Sequence, residues 1–182
     1  LKDMSATELG AAAIKAAVER SGVSADSVDE VIMGCILTAG LGQGPARQAM
    51  RKAGLPDATG AVTINKLCGS GLKAVMQAHD GIKAGSFNVA VAGGMESMTN
   101  APYIMPGSRG GYRMGHKEVK DHMFLDGLED ADTGKLMGMF AQEMADEKGY
   151  TREQMDEFAI ESLNRALTAI KDNHFKDEIE PV

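Results

Sequence analysis

Residues 61–94 read AVTINKLCGSGLKAVMQAHDGIKAGSFNVAVAGG, and this stretch decides the fold. Residues 61–67 are apolar and β-branched enough for a buried strand. Cys68-Gly-Ser-Gly71 then turns the chain into a helix over roughly 72–84, closed by Gly85. Residues 88–92 supply the next apolar segment, followed by Gly93 and Gly94. Strand, helix, strand over this length is a βαβ unit, which implies a parallel sheet and a right-handed crossover.

Upstream, Ser5 and Glu8 form a capping box, alanines fill a helix body and Gly22 stops it. Residues 28–37 hold Val31, Ile32, Met33, Cys35, Ile36 and Leu37 around Gly34, a further buried strand. Residues 40–44 form a glycine-rich loop, and Pro45 opens a short helix ending near Ala53. Downstream, periodicity disappears over 99–133, where Arg109, Arg113, Lys117 and Lys120 gather. An irregular stretch of that length in a compact domain is functional or an assembly loop. Two helices follow, over about 135–148 and 152–169, the second behind a Thr151–Gln154 capping box. Met155, Phe158, Ala159, Ser162, Ala166, Leu167 and Ile170 make one face of that second helix.

The whole chain has 182 residues, a formal charge of −7, 43% hydrophobic and 25% charged residues, the balance of a soluble globular protein. It can bury a sizeable core without disulfides. The 26 acidic residues against 19 basic ones argue against a nucleic-acid partner, which rewards a basic surface. No apolar run approaches the ~18 residues of a membrane span. No charged-then-apolar leader precedes Ser5. Two cysteines, Cys35 and Cys68, are too few for a disulfide framework or a cysteine-rich zinc site, and both are expected as thiols in a reducing cytoplasm. The chain opens on Leu1 and stops at Val182 just after an FKDEIE run, so a fragment is expected.

Cys68 is the best candidate for chemistry. It lies where a strand ends and a glycine-rich turn opens a helix, so its thiolate gains from unpaired backbone N–H groups and from the helix dipole. Gly69 and Gly71 leave room for a substrate, and the free N–H groups can hold a developing oxyanion. The logic is that of a nucleophile elbow with sulfur in place of oxygen. Position alone leaves a second reading open, in which Cys68 is a small buried apolar residue. Cys35, inside an apolar strand, reads as structural.

A cysteine nucleophile normally needs a base. His79 reads as a helix-face residue, His116 and His122 as exposed or in an assembly contact, and His174 as the end of an acidic helix. None partners Cys68 by spacing, and none belongs to a metal site. The loop 40–44 lacks the Lys-Ser/Thr of a phosphate loop, and no full dinucleotide fingerprint is present. Glu96 reads as a turn residue that hydrogen-bonds nearby backbone, ahead of a general acid. Of the 13 methionines, 8 lie from Met95 to Met144. They could line an acyl or pantetheine pocket, but core filling is the expectation for most.

GQGPARQ at 42–48, NKLCGSG at 65–71 and GGMESM at 93–98, in this order, closely resemble the thiolase family, the acetyl-CoA acetyltransferases. The runs MDEFA at 155–159 and FKDEI at 175–179 are similar as well. The resemblance implies an α/β fold: a thiolase-like N-terminal domain with a mixed, mostly parallel sheet and helices, lacking its opening strand, over 1–98. Residues 99–182 would then be part of a mostly helical loop domain with an oligomerisation segment over about 99–126. Residues beyond Tyr112 would belong to the excursion that covers the site and holds CoA.

The same resemblance implies that Cys68 accepts the acyl group as a thioester in a ping-pong exchange that forms or cleaves 3-ketoacyl-CoA. Its backbone N–H would contribute to an oxyanion hole. Leu136 and Met137 fall where many short-chain members show His-Met, and they are the expected contacts for pantetheine. Coenzyme A would act as the thioester carrier, with no other cofactor and no metal. The partners implied are acyl-CoA, CoA and further copies of the chain, as a dimer or tetramer, in the cytoplasm. The family's Gly-His-Pro base and its Cys-x-Gly cysteine belong to a second half and do not occur in these residues. Little turnover is therefore expected of the chain alone. Two other readings are a non-catalytic assembly half that needs a partner chain, and a related Cys–His–His condensing enzyme.

Overall fold

Strand β1 (Glu30–Gly34) takes the centre of the sheet because Val31, Ile32 and Met33 bury apolar side chains on both of its faces. The computed structural model describes residues 1–182. β1 pairs in parallel with β2 (Gly60–Ile64) on one side and β3 (Ala90–Gly94) on the other. Glu30 stands opposite Gly60 and Ala90, and Gly34 opposite Ile64 and Gly94, so all three strands end together. The parallel sheet expected from residues 61–94 is present, yet β2 and β3 are not neighbours. The crossover passes over β1, whose apolar residues earn it the central position.

Alternate side chains of β1 build two cores. Val31, Met33 and the following Cys35 pack with helices α1 (Ala6–Ser21) and α2 (Pro45–Lys52) through Ala6, Ile14, Ala49 and Met50. Ile32 points the other way, onto Ala74 and Ala78 of helix α3 (Ser70–Ala84). The capping box at Ser5 is formed: its N–H donates to Glu8 Oε2 at 2.8 Å and its Oγ accepts from Glu8 N at 3.3 Å. Gly22 ends α1 at φ 71°, where only glycine is free of Cβ strain. Helix α3 starts two residues before the position expected, at Ser70.

Leu1–Gly127 and Leu128–Pro181 form two compact units. That division falls later than the 98/99 boundary expected from sequence. Residues 103–121 return as a short antiparallel pair, β4 (Tyr103–Ile104) with β5 (Lys120–Asp121), and His122 N donates to Pro102 O at 3.1 Å. These bonds close the irregular stretch on itself, and Ala39 N, donating to His122 Nε2 at 3.4 Å, joins it to the loop after β1.

The second unit carries α4 (Met137–Lys148) and α5 (Arg152–Lys171), with the Thr151–Gln154 box in place. The apolar face of α5 is not covered: Met155, Phe158, Leu167 and Ile170 are exposed. Core filling by the methionines is also corrected. Of those from Met95 to Met144 only Met95 is buried, while Met98, Met105, Met114, Met137, Met139 and Met144 are exposed. No helix is long and apolar enough to cross a membrane.

Candidate active site

Because the strands are parallel and in register, the loops after β1, β2 and β3 leave from one edge of the sheet, the edge where open α/β sheets hold ligands. The turn after β2 carries Cys68, which is exposed. Its exposure overturns the alternative of a small buried apolar residue. Leu67, just before it, has φ 49°, a left-handed conformation that costs a leucine about 1–2 kcal/mol.

Three side-chain bonds cross this turn. Leu67 N donates to Asn65 Oδ1 at 2.9 Å, Lys66 N donates to Ser70 Oγ at 2.8 Å, and Ser70 Oγ donates to Leu67 O at 2.6 Å. Ser70 is 5% exposed and seated against Gly34. A Cβ added at Gly34 would lie 2.5 Å from Ser70 Cβ and 2.7 Å from its carbonyl carbon. Gly34 therefore lets the first turn of α3 approach β1 backbone to backbone.

The loops after β1 and β3 are joined by Glu96. Its carboxylate accepts from Ile36 N and Leu37 N, both at 2.9 Å, and from Cys35 Sγ at 3.5 Å. Glu96 does bond backbone, but the expectation of nearby backbone is corrected: the backbone it holds is 59 and 60 residues away in sequence. Cys35 is 1% exposed, as its structural reading requires. Burial first, and then the Glu96 carboxylate, push its thiol up to about 12.

That shift sets an alkaline stability window. The thiol is neutral when protonated, and its folded pKa lies above an unfolded value near 9. Its contribution is thus complete below about pH 9 and is lost as the pH rises toward 12, because the unfolded chain releases the proton first, at about 1.4 kcal/mol per pH unit. Denaturant unfolding from pH 8.5 to 10.5 should show this added slope in the native protein and not in Cys35→Ala. Parallel pH profiles for the two proteins would refute the assignment.

None of the four histidines hydrogen-bonds Cys68. His79 and His174 are exposed beside Asp80 and Asp172, and His116 is exposed. His122 corrects the expectation of exposure: it is 6% exposed, with Nδ1 on Asp126 and Nε2 accepting from Ala39 N at 3.4 Å. Both ring nitrogens are thus occupied, Nε2 on the 36–44 loop and Nδ1 on Asp126.

Leu136 and Met137 lie in the second unit, as N-cap and first residue of α4, and both are exposed. No group of three or more His, Cys, Asp or Glu is arranged to hold a metal ion. A cavity of about 540 Å³ in the first unit is lined by Cys35, Thr38, Gly44, Pro45, Ile64 and Asn65, and Cys68 is not on its wall.

An exposed cysteine on a braced turn at the start of a helix, at the C-terminal edge of a parallel sheet, is what the structure sets at this end of an α/β domain. The family model for the thiolase N-terminal domain matches residues 1–182, and the chain belongs to the thiolase family. It is 54% identical over 182 residues to an acetyl-CoA acetyltransferase of Cupriavidus necator, covering 100% of this chain and 46% of that protein. An acetyl-CoA acetyltransferase of Escherichia coli is 49% identical over 183 residues, with the same coverage on both sides. Among solved structures, the Acat5 thiolase of Ascaris suum in complex with coenzyme A superposes with a TM-score of 0.95 at 38% identity, over 100% of this chain and 47% of that one. The chain spans about half the length of the curated relatives it matches.

Proposed function

We propose that this chain is the nucleophile-bearing half of an acetyl-CoA C-acyltransferase that forms or cleaves 3-ketoacyl-CoA through a thioester on Cys68. The carrying observation is the exposed Cys68 on the turn into α3, within a fold that superposes on a thiolase solved with coenzyme A. A base takes the Cys68 thiol proton, the thiolate attacks the acetyl carbonyl carbon of acetyl-CoA, and the C–S bond to CoA breaks as CoA leaves as the thiol with the proton that the base returns. The carbanion of a second acetyl-CoA, its α-proton removed by a base, then attacks the acetyl-Cys68 carbonyl. The products are acetoacetyl-CoA and free Cys68. The backbone N–H of Cys68 contributes to holding the developing oxyanion.

The base and the second cysteine come from residues outside this chain, so 1–182 alone turns over little or not at all. Leu136 and Met137 contact the pantetheine arm. CoA is the only carrier, and the working assembly is a homo-oligomer, dimer or tetramer, in the cytoplasm, serving fatty-acid metabolism. The reading of the chain as an assembly half is supported by the exposed Leu72, Val75, Met76 and Ile82 on α3, and it is compatible with the nucleophile role.

Incubating the complete enzyme with acetyl-CoA and mapping its peptides should reveal an acetyl increment on the Cys68 peptide that disappears in Cys68→Ser. A folded enzyme that leaves this peptide unmodified would end the proposal.

A further inference from the structure

We infer that Ser70 and Asn65 are positioning residues for acyl transfer: together they hold Leu67 in its left-handed conformation and so fix where Cys68 presents its sulfur and its N–H. The inference rests on the nucleophile role of Cys68 proposed above. Leucine has no intrinsic preference for φ 49°, so something outside the residue must impose it. The Asn65 side chain takes the Leu67 N–H, and the Ser70 hydroxyl uses both its capacities on the same turn, accepting from Lys66 N and donating to Leu67 O. The peptides on both sides of Leu67 are thereby held.

Ser70 itself has little freedom to move. It is 95% buried, it is the first residue of α3, and Gly34 of the central strand lies against its Cβ. The brace therefore references the turn to the sheet rather than to other loop residues. Cys68 follows directly on the second of the braced peptides and is itself exposed, so its placement depends on the brace rather than on packing of its own side chain. A displacement of about 1 Å at a nucleophile lowers a rate by about two orders of magnitude, so a turn that samples other conformations loses rate without losing substrate affinity.

The test is the single-turnover rate of acetyl transfer from acetyl-CoA to Cys68 in the complete enzyme. Ser70→Ala should slow it by about 10–100-fold with the concentration dependence on acetyl-CoA nearly unchanged, and amide exchange across residues 65–70 should quicken. Adding Leu67→Asn, a residue that accepts the left-handed conformation readily, should return most of the lost rate. A simple loss of packing at residue 70 would not respond to that second change.

Wild-type acetylation rates per folded molecule in Ser70→Ala, or no rescue by Leu67→Asn, would overturn the inference. If Ser70→Ala does not fold, Asn65→Ala, an exposed site that loses only the bond to Leu67 N, should slow the same step. An unchanged rate there would also overturn it. If the wild-type enzyme takes no acetyl group, the proposed function fails instead, and unchanged exchange over 65–70 in the variants would then sink the brace on its own.

Discussion

Replacing Cys68 with alanine in the complete enzyme should lower the rate of acetoacetyl-CoA formation from acetyl-CoA by about 10⁴-fold or more while leaving the fold intact. The size follows from covalent catalysis: without the sulfur there is no thioester, and removing a nucleophile from a set of groups that act as a unit costs roughly 10⁴–10⁶ in kcat. The intact fold follows from the structure. Cys68 is exposed and belongs to neither apolar core, so the change should stay within about 0.5 kcal/mol in denaturant unfolding. Steady-state kinetics and unfolding curves on the same preparations decide the matter. Activity within tenfold of wild type would remove Cys68 from the chemistry.

Gly34→Ala should damage both stability and activity, although residue 34 lies on the central strand and not on the turn. The added methyl would meet Ser70 Cβ at 2.5 Å, its carbonyl carbon at 2.7 Å and Gly71 N at 2.9 Å, and two of those are backbone atoms that cannot rotate away. Either β1 or the first turn of α3 must shift. Overpacking of this kind costs about 1–3 kcal/mol. A shift of α3 also carries the Cys68 turn with it, for a further loss of about 10²-fold in acetyl transfer.

Gly69→Ala is the natural comparison for stability. It lies nearer Cys68 in sequence, yet its added carbon would meet nothing closer than Lys66 O at 3.5 Å, and its φ of −88° suits alanine. Its midpoint of unfolding should stay close to wild type. Equal midpoints for Gly34→Ala and wild type would show that the helix–strand approach is not as tight as the structure has it.

What could be read from residues alone was whatever depends on neighbours within a few positions. The Ser5–Glu8 and Thr151–Gln154 boxes, the Gly22 and Gly85 stops, Pro45 at the start of α2 and the strand-to-helix turn at Cys68 all follow local rules, and all are present. The thiolase-like motifs at 42–48, 65–71 and 93–98 lie in or beside the loops at the same sheet edge, which explains why three short runs far apart in sequence carried so much information.

Tertiary structure alone decided the rest. That β1 separates β2 from β3 depends on which strand has both faces covered, a property of three helices packed from two sides. That Glu96 holds Ile36 and Leu37, and that His122 is buried between Ala39 and Asp126, depends on side chains meeting backbone far away in sequence, for which no local spacing exists. The left-handed Leu67 belongs to this second group despite its local bonds. A leucine does not announce a positive φ, and of the two side chains bonded to its backbone, Asn65 and Ser70, the second is seated on Gly34 of the central strand. The sequence by itself thus determined the candidate cysteine, Cys68, and the elements around it, because helix caps, turns and motifs act over short range. Its exposure and aim were left to long-range packing, which only the folded chain brings together.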